Sequence, residues 1–178
     1  METVEIGKAV LIGSSYGGYV AQFVARRHPE KVEAVCQFST VGLSERTLNG
    51  LRSKYRDFRK MLLILKTVPY SWLKPVMVRS SMKHITNATP EEYAYLEDMF
   101  RSIYKDYTKE FDLHMTGLLK DILEQPPCIP EEYAYLDGRA LLILPEGDSS
   151  FTPEMQQDLI SLIPNPTVKQ MDAGHLER

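Results

Sequence analysis

The segment from Lys8 to Phe38 leaves a chain like this little choice of fold. Lys8–Gly13 (KAVLIG) is a short apolar run rich in β-formers and reads as a buried strand. Tyr19, Val20, Phe23 and Val24 then recur at helical spacing. That helix is expected to stop near His28, because Pro29 disfavours helical geometry in the residue before it. Val32–Phe38 (VEAVCQF) reads as a second strand. A strand, a helix and a strand so close in sequence form a βαβ unit, whose strands are parallel.

The middle of the chain differs. Leu48, Leu51, Tyr55, Phe58, Leu62 and Leu65 follow a three-then-four spacing, one face of a helix that Ser44 is placed to cap. Further helices are expected over 90–104 and 108–123, and Gln125–Pro130 (QPPCIP) is a proline-rich break. Sheet character returns at Ala140–Leu144 (ALLIL). A helix over 153–162, with Pro153 in its first turn, and a short strand over 167–171 follow. The expected class is α/β, with a parallel sheet of about four strands. Its core is drawn from 1–43 and 125–178, and 44–124 is a helical insertion. The heptapeptide PEEYAYL occurs at 90–96 and again at 130–136. One short match is too little for a repeat architecture, and the expectation is two similar helix beginnings.

Composition excludes several classes. A hydrophobic share of 43% with 25% charged residues is that of a globular chain and argues against disorder. Net charge is −3, which gives no footing for general nucleic-acid binding. The charge is uneven, however. Between Glu45 and Lys83 there are ten basic residues against two acidic ones, so segment 45–84 is a candidate for weak contact with a membrane surface. The alternative is a solvated helical face. Two cysteines make no disulfide framework, and Met1–Lys8 lacks an export pattern, so a cytoplasmic setting is expected.

The chemistry starts between the first strand and the first helix. Gly13-Ser14-Ser15-Tyr16-Gly17 fits G-x-S-x-G, with Gly18 next. A nucleophile at a sharp strand-to-helix turn takes a strained backbone that pushes its Oγ out of the sheet. Its neighbours two residues away must then be small. Gly13 and Gly17 meet that need around Ser15 but not around Ser14, and Gly18 lets the helix approach the sheet. A plain Gly/Ser turn is the alternative. A phosphate loop or a dinucleotide site is not, because neither a Gly-Lys-Ser/Thr nor the dinucleotide glycine spacing is present.

A serine nucleophile needs a base, and the base needs an orienting acid. His175 follows the last strand, whereas His28 ends a helix and His84 and His114 fall in the insertion. Asp148 follows the strand ALLIL. Glu146 is a weaker candidate closer to the strand, Asp137 lies at the strand's wrong end, and Asp172 adjoins the histidine loop. In open parallel sheets, ligands gather at the carboxyl ends of the strands. The order Ser15, Asp148, His175 matches one of the three common serine-triad orders.

These three motifs resemble the α/β-hydrolase superfamily of serine esterases and lipases. VLIGSSYGGYVAQFVARRHPEKV looks like its nucleophile elbow, ALLILPEGDSSFTPE its acid strand and loop, and VKQMDAGHLER its histidine loop. The resemblance implies Ser15 as nucleophile, Asp148 as acid, His175 as base and the Tyr16 N–H as one oxyanion donor. It implies hydrolysis of a carboxylic ester, thioester or amide, without metal or organic cofactor. It makes 44–124 a cap over a small apolar acyl substrate. The insertion holds apolar residues to line such a pocket, including Met61, Leu62, Ile64, Tyr70, Trp72, Leu73 and Met77, and ordinary packing within the cap is the expected role of most of them.

The family places several strands before the elbow, including the elbow strand's neighbour and the loop that gives a second oxyanion donor. Here fourteen residues precede Ser15 and three follow His175, so the chain is expected to be truncated at both ends. Strand 8–13 would then be an unpaired apolar edge open to self-association. Missing one oxyanion donor costs ~10²–10³ in turnover, so weak activity is expected from this chain alone. The alternative is an inactive fragment of the same fold serving as a binding or scaffold module.

Overall fold

The computed structural model describes residues 7–65, 68–83, 85, 88–148 and 150–172. These fall into two compact units, 7–50 with 126–172 and 51–125. In the first, β1 (Ala9–Ser14), β2 (Val32–Phe38), β3 (Ala140–Pro145) and β4 (Thr167–Met171) form one parallel sheet in chain order. α1 (Tyr16–Arg27) joins β1 to β2. α2 (Glu45–Leu65) leads out of this unit, with the Ser44 hydroxyl accepting from the Thr47 N–H at 3.1 Å near its start.

The chain-order sheet has a consequence. Crossovers between parallel strands are right-handed, so connections that step the same way across a sheet put their helices on the same face. Gln22 of α1 reaches Gln37 of β2 at 3.2 Å, on the face where Val35, Ala140, Leu142 and Leu144 are buried. The opposite face is set by the register Ile12–Cys36–Leu141 and Ser14–Phe38–Ile143. There Val10 and Ile12 are 56% and 72% exposed, which corrects the expectation that the first strand is buried, and Phe38 and Met171 are exposed as well. Parallel sheets are normally covered on both faces. Among the described residues this face is largely apolar and in part exposed, and β1 pairs on one side only.

Gln22 is a buried hub. Its amide donates to Val41 O at 2.9 Å and accepts from the Leu43 N–H at 3.1 Å, while its carbonyl accepts from the Tyr133 hydroxyl at 3.0 Å. A buried amide with so many partners fixes α1 against the chain leaving β2. α3, the helix joining β3 to β4, spans Pro153–Leu162, with Thr152 capping its first turn.

The second unit is helical, with no strand among its described residues. α4 (Lys74–Met82) packs on α5 (Pro90–Lys105) through Val78, Met82 and Phe100. α6 (Lys109–Leu123) follows, and Trp72, an expected pocket lining, is exposed. No described helix is long and apolar enough to cross a membrane.

The repeated heptapeptide takes two structures. At 90–96 it begins α5, where Thr89 and Glu92 form a reciprocal capping box. At 130–136 it is a 3₁₀ run, which corrects the expectation of two helix beginnings. Ile129 offers no hydroxyl to cap with, so only the Glu132 carboxylate accepting from the Ile129 N–H remains of the box, at 3.3 Å. The Tyr133 and Tyr135 hydroxyls are instead donated to the carbonyls of Gln22 and Ala25 in α1.

Candidate active site

β1 ends at Ser14 and α1 begins at Tyr16, so Ser15 alone turns the chain. It does so at φ 48° and ψ −117°, which a side chain rarely adopts. Such strain persists only where neighbours over-determine it. Three hydrogen bonds do this here. The Ser15 N–H donates to Phe38 O at 3.1 Å, and its carbonyl accepts from the Gly18 N–H at 3.0 Å and from Thr40 Oγ1 at 2.9 Å. Ser39, at φ 47°, turns the end of β2 between Phe38 and Thr40. Thr40 is fully buried, and sequence reasoning missed it. A lone threonine after a strand carries no local signal of what it will hold.

The glycines divide. A Cβ on Gly13 would lie 2.4 Å from Gly17 O, and one on Gly18 would lie 2.4 Å from Thr40 Oγ1. A Cβ on Gly17 would meet nothing within 4 Å. This corrects the expectation that both glycines flanking Ser15 must be small. The crowding falls on Gly13 and Gly18, because the backbone of the first helical turn folds back over the end of β1.

Asp148 lies beyond the carboxyl end of β3, in the same unit as Ser15. Its Oδ1 accepts from the N–H groups of Ser150 at 2.7 Å and Phe151 at 3.1 Å. The rival carboxylates are placed otherwise. Glu146 and Asp172 are exposed, and Asp137 accepts from Asn165 at 2.8 Å beside the start of β3. His175 lies outside the described residues.

Tyr19, one turn into α1, was also missed. Its ring meets Tyr16 edge-on at 6.4 Å between centroids and Phe151 at the same distance. Burial, and secondarily the Asp148 charge, push its phenol far above the usual tyrosine range. Among the described residues no group of three His, Cys, Asp or Glu side chains is placed to hold a metal ion. A shallow pocket lined by Ser44, Cys128, Pro130 and Asp158 includes none of the expected site residues.

The parallel four-stranded sheet with its helices is part of the α/β-hydrolase fold. Solved structures show the likeness. The chain matches BpoC of Mycobacterium tuberculosis H37Rv with a TM-score of 0.69 at 19% identity, over 99% of this chain and 63% of that one. It matches a meta-cleavage product hydrolase of Pseudomonas fluorescens IP01 at 0.64 and 18%, over 98% and 60%. It matches an enol-lactonase of Burkholderia xenovorans LB400 at 0.61 and 21%, over 98% and 61%. The chain thus spans about three fifths of the length of these proteins. No protein-family model and no curated protein matches the sequence.

Proposed function

We propose that this chain is the nucleophile-bearing part of a serine hydrolase that cleaves a carboxylic ester, thioester or amide through an acyl-serine intermediate. The observation that carries the reading is the backbone of Ser15, strained at the strand-to-helix turn and pinned by three hydrogen bonds. Ser39 shares the positive φ, and what sets Ser15 apart is its place at the strand-to-helix turn, with the crowded Gly13 and Gly18 around it. His175 takes the proton of the Ser15 hydroxyl as Oγ attacks the carbonyl carbon. The proton passes to the leaving group, and a water activated by the same imidazole then releases the acid. Asp148 orients the imidazole. The Tyr16 N–H, at the positive end of α1, faces the charge that develops on the carbonyl oxygen.

Reach supports the assignment of His175. β4 lies three strand spacings from β1, ~14 Å. His175 follows the last described residue, Asp172, by three positions, a stretch whose greatest possible span is ~10 Å before the side chain is counted. The hydrolases among the matched structures support the reaction class. A small apolar acyl substrate under a cap formed by 44–124, and contact of the basic segment 45–84 with a membrane surface, complete the reading.

A fluorophosphonate probe tests it on the chain as it stands. Phosphonylation is expected at Ser15 and not at Ser14, and it is expected to be lost in His175→Ala. Absence of adduct at Ser15 refutes the proposal.

The same reading includes self-association through the edge of β1 that pairs with no strand among the described residues. Ile12 sits on the open apolar face beside that edge. Ile12→Lys places a charge where edge pairing would bury it, a device natural edge strands use against association. Sedimentation velocity is expected to show the parent chain associating and the variant shifted towards monomer; identical distributions would exclude this edge as the contact.

A further inference from the structure

The structure leaves one buried polar group unexplained. Tyr19 is 4% exposed, and its hydroxyl has no hydrogen-bond partner. It is the one such atom among the described residues. A buried hydroxyl left unpaired destabilises the fold, so its presence calls for a use. Where it sits suggests one. The Tyr19 ring touches Tyr16, which follows Ser15, and Phe151, whose N–H is bound by Asp148 Oδ1. Tyr19 thus joins the turn that carries the nucleophile to the loop that carries the acid.

We infer that Tyr19 is a positioning residue of the serine-hydrolase site, a buried O–H donor held in reserve for the Asp148 carboxylate. The inference rests on the reading of Ser15, Asp148 and His175 given above. Hydrogen bonds at such sites are often long in the unliganded protein and tighten in the reacting complex. Burial, and after it the Asp148 charge, raises the pKa of the Tyr19 phenol. A donor on that carboxylate would spread its charge and fix its orientation. Tyr19 touches no reacting atom; it acts through Asp148.

Tyr19→Phe keeps the ring and both edge-on contacts and removes only the hydroxyl. Two measurements are taken on the full chain: the thermal unfolding midpoint, and the rate of fluorophosphonate labelling at Ser15 against pH. The unfolding midpoint is expected to rise by about 2–4 °C, since an unpaired buried group is gone. Labelling is expected to slow by about tenfold. A merely structural tyrosine would not slow labelling in a variant that is more stable. A fall in the unfolding midpoint shows that the hydroxyl was already paired and overturns the inference. An unchanged labelling rate across the pH range, with the parent labelled at Ser15, overturns it while leaving the hydrolase reading intact. A parent that is not labelled at Ser15 overturns the hydrolase reading itself.

Discussion

Ser15→Ala is expected to abolish fluorophosphonate labelling and to lower the chain's weak ester hydrolysis to the residual level that binding and the remaining oxyanion donor sustain, while the chain stays folded. The loss follows from the proposed triad acting as a unit: without Oγ, the base and acid have nothing to activate. The backbone at this position allows a second, sharper test. At φ 48° alanine keeps the strain that serine bears, whereas glycine adopts the conformation freely. Strain of this kind costs about 1–3 kcal/mol, and glycine gives back part of the gain in the unfolded chain. Ser15→Gly is therefore expected to be as inactive as Ser15→Ala yet more stable by about 1 kcal/mol in urea unfolding. Equal stabilities of the two variants would mean that the turn is not strained, and the main support for the nucleophile reading would be gone.

The largest effect on stability is expected from the glycines around that turn, and it separates them. Gly13→Ala drives a Cβ against the backbone of Gly17, which cannot step aside without moving α1. Gly18→Ala drives one into Thr40, which also holds the Ser15 carbonyl. Overpacking of this kind costs about 1–3 kcal/mol and more where backbone blocks the way, so each variant is expected to lose that much. Gly17→Ala meets open space inside a helix, where alanine is favoured by up to about 1 kcal/mol. It is expected to be neutral or stabilising. Chemical denaturation of the three variants side by side decides the matter, and a loss at Gly17 equal to that at Gly13 would contradict the packing described here.

Much of the sheet unit was legible because its signals are local. Runs of β-branched and aliphatic residues between turn residues mark β2 and β3 to within a residue, and β4 falls at 167–171 as expected although most of its residues are exposed. Pro29 stops α1 and Pro153 starts α3 through the fixed φ of proline itself. The site was legible only in part. Ser15 is marked by glycines in its own pentapeptide, and Asp148 by following a strand. Thr40 and Tyr19 carry no such mark. They matter through what lies against them, the Ser15 carbonyl for one and Phe151 and Tyr16 for the other, and those neighbours come from other elements of the fold.

PEEYAYL shows where the division lies. By itself the sequence determines that this segment turns in a helical sense, because Pro-Glu-Glu suits a first turn wherever it occurs. It does not determine which helix. At 90–96 the Thr89 hydroxyl caps the start, nothing competes for the tyrosines, Tyr95 is 70% exposed, and the α-helix runs on to Lys105. At 130–136 the same tyrosines are claimed by α1, Tyr133 is 1% exposed, and the run tightens to 3₁₀ before Gly138 turns the chain at φ 64°. The sequence alone thus fixed the order of strands and helices and the place of the strained serine, through propensity and steric rules that act over a few residues. Only the tertiary structure decided which face of the sheet stays open, which glycines are indispensable and which hydroxyls find partners. Those outcomes depend on groups distant in the chain competing for the same hydrogen bonds and the same space.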